Sequence, residues 1–311
     1  MAKVLVTEEI NPAGIDMLLA ASHEVVKGKN DPAIVTREIT DADAVLTRIY
    51  ELPVSLLETA KNLKLISKHG VGYDNIPLDY CKEHGIAVTI TPGANSLSVA
   101  EHAFTLMMAL SKHTVPTYSE YRRIGFAAKN YPEGMEVTGK TLGIIGIGNI
   151  GSRVAHMAVG GFDMKVLAYD PYVYDMPAGV TKVETLDELL AQSDCITLHC
   201  LLTDETRKMI GKDAFAKMMD GVIFINCARG PIVDEAALIE ALKSGKVGAA
   251  GLDVTDPEPV SPDNPLWAMP NVILTPHFAP TTKEAALNVS AIAAANVNGF
   301  FGGGEVVGRL I

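Results

Sequence analysis

The chain has little of what would mark a scaffold held by covalent links. Its four cysteines, Cys81, Cys195, Cys200 and Cys227, are scattered through 311 residues with no C-x-x-C spacing, which argues against a disulfide framework or a metal-binding ribbon. Cys195, Cys200 and Cys227 fall in apolar strand-like runs, where a buried reduced thiol is the expected state. Positive charge is scarce as well. Lys and Arg number 26 against 37 Asp and Glu, for a net charge of −11, and no basic run offers a nucleic-acid surface. No apolar run approaches membrane-spanning length. The opening MAKVLVTEE is interrupted by charge at once and reads as a short strand, not a signal peptide. No internal repeat of fixed period is present. A cytoplasmic protein is expected, with no metal and with neither nucleic acid nor membrane as partner.

What the chain does have is apolar bulk and alternation. Hydrophobic residues make up 48% and charged residues 20%, enough to bury a large core, and the length suits about two domains. Residues 3–7, 43–47, 64–68 and 86–90 read as strands, with the helical stretches PAGIDMLLA, PVSLLETA and PLDYCKEHG between them. Strands alternating with helices predict a parallel sheet. A long apolar helix follows over residues 97–112, and then the turn-rich NYPEGMEVTGK. Strands are expected next at 142–146, 165–170, 195–199, 222–226, 248–253 and 272–275, a doubly wound α/β sheet of Rossmann type. The last helix, KEAALNVSAIAAANVNGFFGG, comes after that sheet is complete and should return to the first domain. The expected division is residues 1–96 with 281–311, and residues 97–280.

The stretch KTLGIIGIGNIGSRV, residues 140–154, organises the second domain. Its apolar run leads into Gly146-Ile147-Gly148-Asn149-Ile150-Gly151 and then into a helix, the context in which G-x-G-x-x-G is informative. Gly146 allows the tight turn, Gly148 lets the backbone approach a pyrophosphate, and Gly151 lets the helix lie close to the strand. The helix N-terminus supplies N–H groups and partial positive charge to the phosphates. Nineteen residues beyond Gly151, the strand-like MKVLAYD ends in Asp170. A carboxylate there accepts hydrogen bonds from an adenosine ribose diol and repels a 2′-phosphate, so the cofactor read from the residues is NAD, not NADP. The alternative is a glycine-rich turn in an ordinary α/β protein.

Three later segments carry chemistry at strand ends, where open α/β sheets bind ligands. NCARGPIVDE places Arg229 just past a strand, where its planar fork suits a carboxylate; the bland alternative is an arginine paired with a structural acid. GLDVTDPEP carries Asp253, Asp256 and Glu258 past the next strand, and VILTPHFAPTT carries His277 past the one after. Oxidising a hydroxyl to a ketone needs a base for the O–H proton, a cation for the acid group and a hydride acceptor. Histidine suits the base. Glu258 against its other ring nitrogen would set the tautomer and keep a proton available for the reverse reduction.

With these residues in place the chain resembles the D-2-hydroxyacid dehydrogenases. The resemblance rests on GIGNIG, AYDP, NCARGPIVDE, DVTDPEP and NPLWAMPNVILTPH in order, with GVGYDNI at 70–76 and TPGANSLSVAEH at 91–102. It implies a Rossmann-type nucleotide-binding domain plus a discontinuous flavodoxin-like α/β substrate domain. Arg229 would bind the substrate carboxylate, His277 would be the acid/base, and Glu258 its partner. Backbone N–H groups of Val71 and Gly72 would complete the carboxylate site, and Asn95 would line the same wall. Asn149 and Ile150 would lie under the pyrophosphate, and Thr206, Cys227, Ala228 and Asp253 along the nicotinamide half. The resemblance also implies a homodimer with contacts through helix 97–112 and the arm 113–140. Departures from the family pattern are Leu201 where proline is usual, GFAAK at 125–129, Tyr73 and Pro280.

Arg48 and Lys68 match basic positions of the phosphoglycerate dehydrogenases in the family, and two cations at the distal end of a substrate suit a phosphate, sulfonate or second carboxylate. The alternative is a pair of solvated surface charges. A phosphoglycerate-like substrate is the leading expectation, with hydroxypyruvate, glyoxylate or a sulfolactate-type acid behind it. No regulatory domain is expected after the final helix. A non-catalytic, NAD-sensing corepressor is the reading from another class; the short glycine-rich end speaks against it. Formate dehydrogenase is excluded by Pro276, where glutamine would precede the histidine.

Overall fold

The computed structural model describes all residues, Met1–Ile311, as two units: Met1–Asn95 with Thr281–Ile311, and Ser96–Pro280.

In the first unit β1 (Lys3–Val6), β2 (Glu24–Lys27), β3 (Ala44–Thr47), β4 (Leu65–Lys68) and β5 (Ala87–Thr89) form one parallel sheet, ordered β2-β1-β3-β4-β5. That order is the flavodoxin-like one. Helices α1 (Pro12–Ala20), α2 (Pro32–Glu38), α3 (Val54–Leu57) and α4 (Leu78–Glu83) connect the strands. Every residue of β3 and β4 is buried, Ser67 and Lys68 included, as in a parallel sheet covered on both faces. The C-terminal helix, here α11 (Lys283–Gly302), completes this unit. A Cβ on Gly14 of α1 would stand 2.8 Å from the Ser290 carbonyl oxygen, so only glycine lets the two helices lie so close. Ser67 Oγ on β4 donates to Ala293 O at 2.9 Å.

The second unit opens with α5 (Ser96–Ser111) and α6 (Thr114–Ile124), then runs β6 (Thr141–Ile145), α7 (Asn149–Phe162), β7 (Lys165–Tyr169) and β8 (Val180–Lys182). It continues through α8 (Leu186–Gln192), β9 (Cys195–Leu198), α9 (Lys212–Lys217), β10 (Val222–Asn226), α10 (Glu235–Ser244), β11 (Val247–Leu252) and β12 (Val272–Leu274). The parallel order β12-β11-β10-β9-β6-β7-β8 is a Rossmann sheet extended by one strand, with its switch point between β9 and β6. β10 is buried along its whole length, and Phe224 at its centre is fully enclosed. A side chain of that size contributes about 1.5–3 kcal/mol by burial. No helix is long and apolar enough to cross a membrane.

Candidate active site

The glycine turn joins β6 to α7. Gly146 has φ +91°, and a Cβ there would lie 2.6 Å from the Cys200 nitrogen. A Cβ on Gly151 would stand 2.1 Å from the Gly146 carbonyl oxygen, so the helix rests directly on the turn. At Gly148 a Cβ would meet nothing within 4 Å. Gly148 is also the N-cap of α7 and supplies no side-chain cap, whereas Asp31, Thr185, Asp234 and Thr282 cap their helices with side-chain oxygens. The first-turn N–H groups at Asn149, Ile150 and Gly151 are therefore left for an external acceptor beside open space. A cavity of about 300 Å³ runs along the same end of α7, with Asn149, Ser152, Arg153 and His156 among its lining residues.

Asp170 follows β7. Its Oδ2 accepts from the Ile147 N–H and its Oδ1 from the Tyr172 N–H, both at 3.0 Å. Each oxygen keeps a further lone pair for a ribose hydroxyl. The turn, the uncapped helix and this carboxylate fit the adenosine diphosphate part of NAD.

Past β9 and β10 lie the residues expected along the nicotinamide half. Thr206 Oγ1 donates to Leu201 O at 2.6 Å and accepts from Thr203 N at 2.8 Å, so it staples its own loop. The Cys227 thiol is buried; burial, and then the charge of Asp253, push its pKa well above the ordinary value. The Ala228 N–H donates to Asn226 Oδ1 at 3.0 Å, and Asn226 Nδ2 donates to the Arg229 carbonyl at 3.0 Å. Asn226, buried at the end of β10, thus braces the turn that presents Arg229. The Arg229 side chain is half-buried and donates from Nη1 to Ala228 O at 2.8 Å. A Cβ on Gly230 would stand 2.0 Å from Thr255 O, so the Arg229 turn is in backbone contact with the loop that leaves β11.

That loop carries Glu258, whose Oε1 lies 2.7 Å from His277 Nδ1. The carboxylate is an acceptor only, so Nδ1 bears a proton, and in the neutral ring Nε2 holds the lone pair. His277 has φ +52°, a left-handed backbone that histidine seldom adopts. Asp253 explains how it is held there. The Asp253 carbonyl accepts the His277 N–H at 2.8 Å. Its carboxylate accepts from the Phe278 N–H at 2.7 Å, the Ala279 N–H at 2.9 Å and Thr275 Oγ1 at 2.6 Å. Thr275 Oγ1 lies in turn 3.0 Å from His102 Nε2 on α5. Burial alone would raise the Asp253 pKa; the hydrogen bonds from His102, Thr275, Ala279 and Phe278 outweigh it and hold the carboxyl below its ordinary value. Asp253 is 1% exposed, and its observed work is anchoring the His277 turn.

The substrate-side residues belong to the first unit. The loop after β4 is tied by the Thr91 N–H to Gly70 O at 2.9 Å and by the Ile76 N–H to Tyr73 O at 2.9 Å, which leaves the Val71 and Gly72 N–H groups outside that scaffold. Asn95 Oδ1 is buried with no hydrogen-bond partner, and such an orphaned acceptor marks a position that calls for a ligand or water. Arg48 is exposed, and its backbone N–H donates to Glu8, as do those of Ile49 and Tyr50.

Lys68, expected as a substrate cation, is 6% exposed, and its ammonium donates to Asn75 Oδ1 at 2.6 Å and to the Arg48 carbonyl. It locks the 48–50 loop to the 73–75 loop. The charge pattern showed a cation here, but not that two of its donors brace loops of its own unit.

Asn226, Thr275 and His102 were not assigned from sequence. Each lies inside a motif already quoted, and what was missing was the side-chain bond that each makes to a loop backbone or carboxylate.

Residues 104–279 match the family model described as D-isomer specific 2-hydroxyacid dehydrogenase, NAD binding domain. The chain is 45% identical over 300 residues to a D-3-phosphoglycerate dehydrogenase of Archaeoglobus fulgidus, covering 95% of this chain and 56% of that protein. It is 43% identical over 254 residues to a hydroxypyruvate reductase of Thermotoga maritima, covering 81% and 82% respectively. A crystal structure of a Thermus thermophilus protein superposes with a TM-score of 0.91 at 32% identity, covering 99% of this chain and 100% of that one. The chain spans about half the length of the phosphoglycerate dehydrogenases that it matches.

Proposed function

The chain belongs to the D-isomer-specific 2-hydroxyacid dehydrogenase family, and from that premise we propose that it is an NAD-dependent oxidoreductase acting between a small 2-hydroxy acid and its 2-oxo acid. The observation that carries the reading is the 2.7 Å pair of Glu258 and His277 Nδ1, on the loop that the Arg229 turn touches. Bound NAD would supply the hydride acceptor for C2, and NADH the donor for the reverse reaction. The protein's own part is proton handling and orientation. In oxidation His277 Nε2 takes the hydroxyl proton while Glu258 holds Nδ1–H and stabilises the imidazolium that forms; in reduction the same Nε2–H protonates the developing alkoxide. Arg229 holds the substrate carboxylate and polarises the carbonyl.

A three-carbon acid with a distal phosphate, as in 3-phosphoglycerate, is the substrate we favour, with Arg48 as the distal cation. The identities to phosphoglycerate dehydrogenases support it. Hydroxypyruvate or glyoxylate is the alternative: Lys68 is buried and bonded to Asn75 and to the Arg48 carbonyl, so Arg48 is the exposed one of the two cations. A second copy of the chain is the proposed partner, because α6 buries none of its residues and exposes Val115, Tyr118, Tyr121 and Ile124. Four free cysteines and the use of NAD support a cytoplasmic location.

The test is oxidation of NADH by the full chain against phosphohydroxypyruvate, hydroxypyruvate and glyoxylate. Preference for phosphohydroxypyruvate, lost in Arg48→Ala, supports the phosphate reading; a preference for the smaller acids that Arg48→Ala does not alter supports the other. His277→Ala and Arg229→Ala should each lower kcat at least 100-fold with NADH binding retained. Wild-type turnover in either variant would overturn the role given to that residue, and NADH binding without turnover on any acid would favour a sensor.

A further inference from the structure

The strand order β9-β6-β7 sets the glycine turn, at the carboxyl end of β6, between the chain leaving β7 and the chain leaving β9. These two flanking segments are tied together. Tyr172, two residues past Asp170, donates its hydroxyl to Glu205 Oε2 at 2.9 Å, and Glu205 lies on the loop that follows β9. Its backbone N–H donates to Asp170 Oδ1 at 3.0 Å. One tyrosine therefore joins two carboxylates, and the bond from its hydroxyl crosses over the end of β6. The donors to both carboxylates are neutral: the N–H groups of Ile147 and Tyr172 and the phenol. Both negative charges are thus left to act on whatever enters the turn. The phenol pKa is raised by the Glu205 hydrogen bond first, then by the Glu205 charge and by desolvation, with the Asp170 charge behind these.

We propose that Glu205, held in place by Tyr172, is a second cofactor-specificity determinant, acting with Asp170 against dinucleotides phosphorylated at the adenosine 2′-oxygen. The inference rests on the reading of the glycine turn as a dinucleotide site. A phosphate monoester brings about −1.5 to −2 charge near neutral pH. An exposed carboxylate within a Debye length of about 8 Å repels it by a modest factor, and a second one adds to the first. A free glutamate would spread its charge over many rotamers; the Tyr172 hydroxyl fixes this one beside the cofactor's entrance. If the bond were only a loop staple, the Glu205 charge would have no bearing on cofactor choice.

Equilibrium titration of NADH and NADPH, followed by calorimetry, separates these outcomes without any turnover. Glu205→Gln keeps an acceptor for the tyrosine and removes only the charge. It should tighten NADPH about threefold to tenfold at low salt, leave NADH within about twofold, and lose most of that gain at high salt. Tyr172→Phe should move the ratio the same way by less, and Asp170→Ala with Glu205→Gln should exceed Asp170→Ala alone. An unchanged NADPH to NADH ratio in Glu205→Gln, while Asp170→Ala shifts it, overturns the role of Glu205 and leaves the dinucleotide reading standing. If the wild-type chain binds neither nucleotide, the dinucleotide reading fails and this inference falls with it.

Discussion

A histidine at φ +52° has to be forced there, and the cost, of order 1–3 kcal/mol, must be met by its surroundings. Asp253 supplies them, with its carbonyl on the His277 N–H and its carboxylate on the N–H groups of the two residues that follow. Asp253→Asn is nearly isosteric but wrong in polarity: one of its two side-chain atoms becomes a donor facing an N–H or a hydroxyl that donates toward it. Buried and without water to relieve the clash, the variant should lose about 2–3 kcal/mol in urea unfolding and lower kcat with little change in NADH affinity. Unaltered stability and turnover would show that the His277 turn holds itself. The contact of Glu258 with His277 was legible in the sequence because both residues follow apolar runs at strand ends. For Lys68, residue type shows a charge but not the carbonyl and amide that accept two of its hydrogen bonds. Asp253 was placed at the right strand end, yet only the structure shows its carboxylate turned into the loop.

Among the elements, strands enclosed on both faces were the easiest to find. VIFIN and CITL are buried throughout, and their unbroken apolar runs announce it. The strands not foreseen, β2 with EVVK and β8 with VTK, are sheet edges that are short and partly exposed, so neither an apolar run nor clean alternation marks them. Helix α6 was missed for a related reason. Its sequence, TVPTYSEYRRI, packs on nothing that would impose a helical pattern of buried residues, and a proline stands in its first turn. Yet Tyr118 is 60% exposed, Tyr121 57% and, just beyond, Phe126 74%, an aromatic stripe of the kind enriched at interfaces. If a second copy covers it, the wild-type chain should run by light scattering at twice its 33.1 kDa mass, and Tyr118→Glu with Tyr121→Glu should bring it to the single-chain mass. A wild-type monomer at micromolar concentration, or a dimer that survives both charges, would remove α6 from the interface.

At the scale of the whole chain, alternation of strand and helix was enough to foresee two parallel sheets, because a parallel strand must be reached by a crossover. The response of stability to acid was not foreseeable in that way, since it depends on which histidines fold into places that reject a proton. Each unit holds one. His69 is lowered to about 4, by burial first and by the charge of Arg48 second, with Nε2 at 2.8 Å from Ser290 Oγ. His199 is lowered to about 3 by burial, with Nε2 bonded to Thr197 Oγ1 at 2.9 Å and Nδ1 buried without a partner. In the unfolded chain both titrate near 6.5. As pH falls below that value the unfolded state takes up protons that the folded state refuses, so stability is complete above about pH 6.5 and declines toward the folded pKa values. Between pH 6.5 and 5, above the main carboxylate range, the two histidines should together remove roughly 2–4 kcal/mol, summed over the unfolding of both units. Urea titrations at pH 7, 6 and 5 measure this directly. His199→Asn should flatten the slope by about half, whatever its own effect on stability at pH 7, and His69→Asn should do the same. A wild-type stability that stays level from pH 7 to 5 would mean that both rings accept protons in the folded state, and that their burial is looser than these contacts show.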